Sequence, residues 1–119
     1  MKKILLVDDD QNLLKVYEFF LTREGYKVFT CTDAQEAMAF IVNGRSVDLF
    51  ILDVQLPDMS GLELMEQIKS NSLYAQTPII INSGYEQFKN DYTSWLANDY
   101  LVKQADLSGL SEKVKNLLQ

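Results

Sequence analysis

The sequence predicts an α/β fold in which five strands alternate with five helices around a parallel sheet. Short apolar runs recur along the chain, each followed by a segment with helical spacing of its apolar residues. The runs Leu49–Leu52 (LFIL) and Ile79–Ile81 (III) do not alternate with polar residues, which is how strands buried on both faces read. Each run also stops at a polar residue. Alternation of this kind implies right-handed crossovers, helices on both faces of the sheet and all strand ends pointing one way.

Taken in order, Lys2 to Val7 is the first strand, and Asp8, Asp9 and Asp10 lead into a helix with Leu13, Val16, Tyr17, Phe20 and Leu21 on one face. Gly25 is a C′ stop. Tyr26 to Cys31 is the second strand, and Asp33 with Glu36 forms a capping box for a helix through Ala37, Met38, Phe40 and Ile41, closed by Asn43 and Gly44. The third strand ends at Asp53. A loop through Pro57 and Asp58 then enters a helix capped by Ser60 and Glu63, with Leu62, Leu64, Met65 and Ile68 along it.

Pro78 opens the fourth strand, which gives way at Asn82, Ser83 and Gly84 to a helix with Phe88, Tyr92, Trp95 and Leu96. A short fifth strand, Tyr100 to Val102, runs into Lys103. After Asp106 the last helix carries Leu107, Leu110, Val114, Leu117 and Leu118.

Composition narrows the function. The 119 residues make one domain, 1–119, and a 47% hydrophobic fraction is that of a packed globular chain. Ile4 to Val7 is too short for a signal-peptide core, and no stretch approaches the roughly 20 apolar residues of a membrane span, so a cytoplasmic location is expected. The net charge of -6 disfavours nucleic acid as a direct partner. With no histidine, the chain cannot build a His-containing triad, a His-ligated zinc site or an internal phosphohistidine. The single Cys31, in an apolar run, reads as core.

The strand ends gather chemistry. Asp8, Asp9, Asp53, Ser83 and Lys103 all fall where the sheet presents its carboxyl edge, which is where ligands bind in open α/β sheets. Crowded carboxylates call for compensation, and Mg²⁺ supplies it with hard octahedral oxygen coordination through one or two carboxylates plus a phosphate oxygen. Asp9 and Asp53 are the direct ligand candidates, with Asp8 acting through water. Charge neutralised by metal and Lys103 leaves the Asp53 carboxylate free to attack a phosphoryl group, with Ser83 bonding a phosphoryl oxygen.

These residues resemble the receiver domains of two-component response regulators, and the likeness runs through essentially all of the chain. LLVDDD at Leu5 to Asp10 resembles the family's acidic pair, and ILDVQLPDMSG at Ile51 to Gly61 its phosphoacceptor loop. The resemblance implies a flavodoxin-like fold with strand order 2-1-3-4-5, a Mg²⁺ site drawing on Asp8, Asp9, Asp53 and Gln55, and phosphorylation of Asp53. It further implies Ser83 and Tyr100 as switch residues, and Lys103 as the family's lysine. The donor would be a phosphohistidine on a sensor histidine kinase or histidine phosphotransfer protein, and a downstream effector would read the face of the fourth helix, fifth strand and fifth helix. A homodimer through that face is compatible with the sequence. Gln104 departs from the family, which usually has proline after the lysine. Gln55 and Tyr85 occupy the positions that influence acyl-phosphate hydrolysis, and Tyr85 is expected to hinder the attacking water.

Other readings of the same residues are weaker. Asp10 is a helix start, since acids suit the first turn. D-x-D-x-N from Asp8 to Asn12 is no calcium loop, because Leu13 and Phe19 stand where glycine and glutamate are required. A haloacid-dehalogenase phosphatase would need a cap domain, and a flavin carrier a hydroxyl-rich phosphate loop after the first strand. Pro57 and Gly61 shape the loop after Asp53, and Trp95 packs. The rival function is a pseudo-receiver, a docking module that never accepts phosphate.

Overall fold

The computed structural model describes residues 1–83 and 107–119 in full and 99–102 as backbone. Strands β1 (Lys3–Val7), β2 (Lys27–Cys31), β3 (Leu49–Leu52), β4 (Ile79–Ser83) and β5 (Asp99–Val102) form one sheet in the order β2-β1-β3-β4-β5. All four pairings are parallel. Helices α1 (Gln11–Arg23), α2 (Ala34–Val42) and α3 (Gly61–Ser70) and a C-terminal helix (Ser108–Leu118) pack on its two faces.

Side chains of the central strands β1, β3 and β4 alternate between the faces, and both sets are buried. Ile4, Leu6, Leu49, Ile51 and Ile80 pack with Leu14, Tyr17 and Leu21 of α1 and with Leu110 and Val114 of the C-terminal helix. Leu5, Val7, Phe50, Leu52, Ile79 and Ile81 face the other way, onto Ala37, Phe40 and Ile41 of α2 and Leu64, Met65 and Ile68 of α3. The unbroken apolar runs of β1, β3 and β4 follow from this, since a polar side chain buried on either face without a partner is costly. Burying each such Leu or Ile contributes roughly 1.5–3 kcal/mol.

The inward face of α1 differs from the expected one. Leu14, Tyr17 and Leu21 are buried, while Val16 is 50% exposed. Asp10 caps the helix, accepting from the N–H groups of Asn12 and Leu13, and this start turns Leu14 to the sheet. Two residues further on, Val16 is rotated by about 200° and faces out. Leu13 and Phe20 flank the buried stripe, as expected.

The helix stops fall where expected, with Gly25 at φ 101° and Gly44 at φ 68°, in the left-handed region that glycine enters without strain. Asp33 accepts from the Glu36 N–H at 2.8 Å, but the Glu36 carboxylate reaches back to the N–H and hydroxyl of Thr32, one residue before the cap. The C-terminal helix starts after Leu107, which supplies no side-chain cap. The expected helix carrying Phe88, Tyr92, Trp95 and Leu96 lies outside the described residues.

Candidate phosphoacceptor site

The site is built by strand register. β1 and β3 are adjacent and Val7 lies opposite Leu52, so the next residues, Asp8 and Asp53, emerge side by side. Both stay tied to the sheet by their backbones: the Asp8 N–H donates to the Cys31 carbonyl at 3.0 Å and the Asp53 N–H to the Val7 carbonyl at 2.9 Å. The carboxylates are therefore held by the sheet, although they lie just past the strands that carry them.

Oxygens of Asp8, Asp9 and Asp53 come within 4.8 Å of one another. Asp8 is 4% and Asp53 7% exposed, while Asp9 stands in solvent. Two buried carboxylates beside a third are costly without a counter-charge. The donor set suits Mg²⁺, whose ligand oxygens at about 2.1 Å put opposite ligands about 4.2 Å apart and leave places for water. Asp8 Oδ1 accepts the Asp10 N–H at 2.9 Å, and Asp53 Oδ1 accepts the Gln55 N–H at 3.4 Å. Gln55 is thus brought to the phosphoacceptor candidate through its backbone.

The loop after Asp53 is closed at three points. Gln55 bridges to Ser60, the Gly61 N–H donates to the Val54 carbonyl at 2.7 Å, and the Ser60 hydroxyl caps α3 by accepting from the Leu62 N–H. Asp58 reaches across to α2, where its two carboxylate oxygens accept the N–H groups of Ala34 and Gln35, each at 2.9 Å. Hydrogen bonding from Ala34 leads the causes that hold the Asp58 carboxyl below its ordinary value.

Ser83 is the last residue of β4, buried and opposite Val102 of β5. Tyr100 lies in β5 opposite Ile81. Lys103, Gln104 and Tyr85 lie outside the described residues. Cys31 is buried, and desolvation first, then Glu36 and Asp33, push its thiol up to about 12, consistent with a core residue. Among the described residues no helix is long and apolar enough to cross a membrane.

A family model for the response regulator receiver domain matches residues 4–115. The chain belongs to that family. As a receiver domain, it is 36% identical over its whole length to the response regulator ArlR of Staphylococcus aureus, and it spans about half (53%) of that protein. It is also similar to the response regulator TrrA of Thermotoga maritima, solved in complex with Mg²⁺–BeF, with a TM-score of 0.91 and 36% identity over 99% of this chain and 100% of the other. A second TrrA structure, in complex with the histidine kinase ThkA, gives a TM-score of 0.88 at 36% identity with both chains covered in full.

Two residues of this receiver's site went unread in the sequence. Asn82, 2% exposed, sits level with Asp53 on β4, and Asp58 ties the loop to α2. The signal for Asn82 was an amide directly after three isoleucines, read there as a strand stop.

Proposed function

We propose that this receiver, taken as one domain over residues 1–119, accepts a phosphoryl group on Asp53 in a Mg²⁺-dependent reaction. The observation that carries the reading is the convergence of Asp8, Asp9 and Asp53 within 4.8 Å, two of them buried. Asp8, Asp9, Asp53 and Gln55 would hold the ion, which when bound neutralises charge on the carboxylates and the incoming phosphoryl group.

In the transfer, an Asp53 oxygen forms a bond to phosphorus as the phosphorus–nitrogen bond of a phosphohistidine breaks and the imidazole leaves, taking up a proton. The chain has no histidine, so the donor is another molecule, a sensor histidine kinase or a histidine phosphotransfer protein. Two likenesses support this: TrrA is found in complex with a histidine kinase, and in complex with Mg²⁺–BeF. Ser83 and Lys103 complete the reaction site and Tyr100 joins Ser83 in the switch. Bonding of Ser83 to the acyl phosphate shifts the population between two packings of the neighbouring face, which a downstream effector reads. The setting is cytoplasmic.

Incubation with Mg²⁺ and acetyl phosphate tests the reading. The expected product is a hydroxylamine-labile adduct, present in the wild type and absent from Asp53→Asn. A wild type that forms no adduct is a docking module, the pseudo-receiver alternative.

A further inference from the structure

Asp8, Asp53 and Asn82 form one row across three adjacent strands. Leu6, Ile51 and Ile80 are mutually in register and face α1. Two residues further along each strand the same face carries Asp8, Asp53 and Asn82, all more than nine-tenths buried. The row lines a cavity of ≈ 10 Å³ beside α1, together with Tyr17 and leucine, valine and isoleucine side chains.

Asn82 Nδ2 donates to the Tyr17 hydroxyl at 3.4 Å, but Asn82 Oδ1 has no hydrogen-bond partner. A buried amide oxygen left unpaired costs about 1–3 kcal/mol. Its neighbours in the row are the carboxyl groups of Asp8 and Asp53, whose oxygens act chiefly as acceptors, so an acceptor meets acceptors. A small group with two donors placed beside Asn82 would satisfy its amide oxygen and reach a carboxylate as well. The cavity is at the size one water needs, about 10–15 Å³.

We propose that Asn82 is a positioning residue that holds one buried water against the Asp8 or Asp53 carboxylate, and so fixes the carboxylate that the metal and phosphoryl group meet. The water donates one hydrogen to Asn82 Oδ1 and the other to the inward carboxylate oxygen, leaving the outward oxygen for the site. The consequence for Mg²⁺ rests on the proposed metal site; the water itself does not. Outer-shell partners of this kind change metal affinity by about 10–100-fold when removed.

A crystal structure of the metal-free wild type at a resolution that shows ordered water decides the first half. Expected is a water within hydrogen-bond distance of Asn82 Oδ1 and of one carboxylate, lost in Asn82→Leu. A dry cavity, an Asn82 amide turned to bond a carboxylate directly, or a lysine ammonium in that place overturns the proposal. Mg²⁺ titration by amide NMR decides the second half: Asn82→Leu weakens binding about tenfold, and Asn82→Ser, which keeps an acceptor, recovers part of it. Asn82→Leu binding as the wild type does overturns it. Wild type and Asp53→Asn binding Mg²⁺ equally would instead remove the metal-site reading, with the water still decided by the crystals.

Discussion

A Cβ at position 61 would lie 1.9 Å from the Asp53 carbonyl oxygen and 2.9 Å from the Val54 Cα, so Gly61 lets the start of α3 press directly on the Asp53 backbone. The Gly61 N–H bond to Val54 locks this approach. Both partners are backbone, with no flexible side chain to give way.

Gly61→Ala is therefore expected to displace the Asp53 peptide. Overpacking of this kind costs about 1–3 kcal/mol. Urea unfolding measures that loss, and Mg²⁺-dependent phosphorylation by acetyl phosphate slows with it. An alanine variant with wild-type stability and rate would show that the loop absorbs the clash.

Asp58 makes stability sensitive to acid. Its carboxyl is held below 3.8, mainly by the Ala34 N–H, and that of Glu36 below 4.5, mainly by the Thr32 hydroxyl. A depressed folded-state pKa contributes stability that is present above the unfolded value and lost as pH falls through the folded one. Melting temperature should thus hold above about pH 5 and fall progressively below about 4.5. Asp58→Ala lowers it at neutral pH, since two N–H groups of α2 lose their acceptor, and flattens part of the acid decline. An unchanged slope in that variant would assign the decline to other groups.

Cys31 should be chemically silent in the folded state. With its thiol pushed up to about 12 and its side chain buried, almost no thiolate exists at neutral pH. Ellman's reagent is expected to react only at the rate of unfolding, and rapidly in denaturant. Fast modification of the native protein would contradict the burial.

Much of the fold was legible because the central strands β1, β3 and β4 carry unbroken apolar runs that stop at charged or polar residues. LFIL before Asp53 and III before Asn82 could hardly be anything but central strands. The convergence of Asp8 and Asp53 followed from parallel strands ending at one edge, while the strand order itself came with the family likeness. The inward face of α1 is ambiguous in the sequence because Leu13, Leu14, Val16 and Tyr17 allow two stripes, and packing on the sheet selects the one with Leu14, Tyr17 and Leu21. Asp58 and Ala34 are 24 residues apart, so their bond is a product of tertiary packing that no local pattern announces. Asn82 looked like a strand end for the reason that made it invisible: its polarity is meaningful only beside two carboxylates on neighbouring strands.

In the proposed function, the segments around Asp9 and Asp53 form a single metal pocket. Mg²⁺ titration followed by amide NMR, in the wild type and in Asp9→Asn, tests it most directly. The amides of Asp8–Asp10 and of Asp53–Gln55 are expected to shift together along one binding curve, and Asp9→Asn to weaken that curve for both segments. Two segments titrating independently, or an Asp9→Asn protein that binds Mg²⁺ as tightly as the wild type, would contradict it.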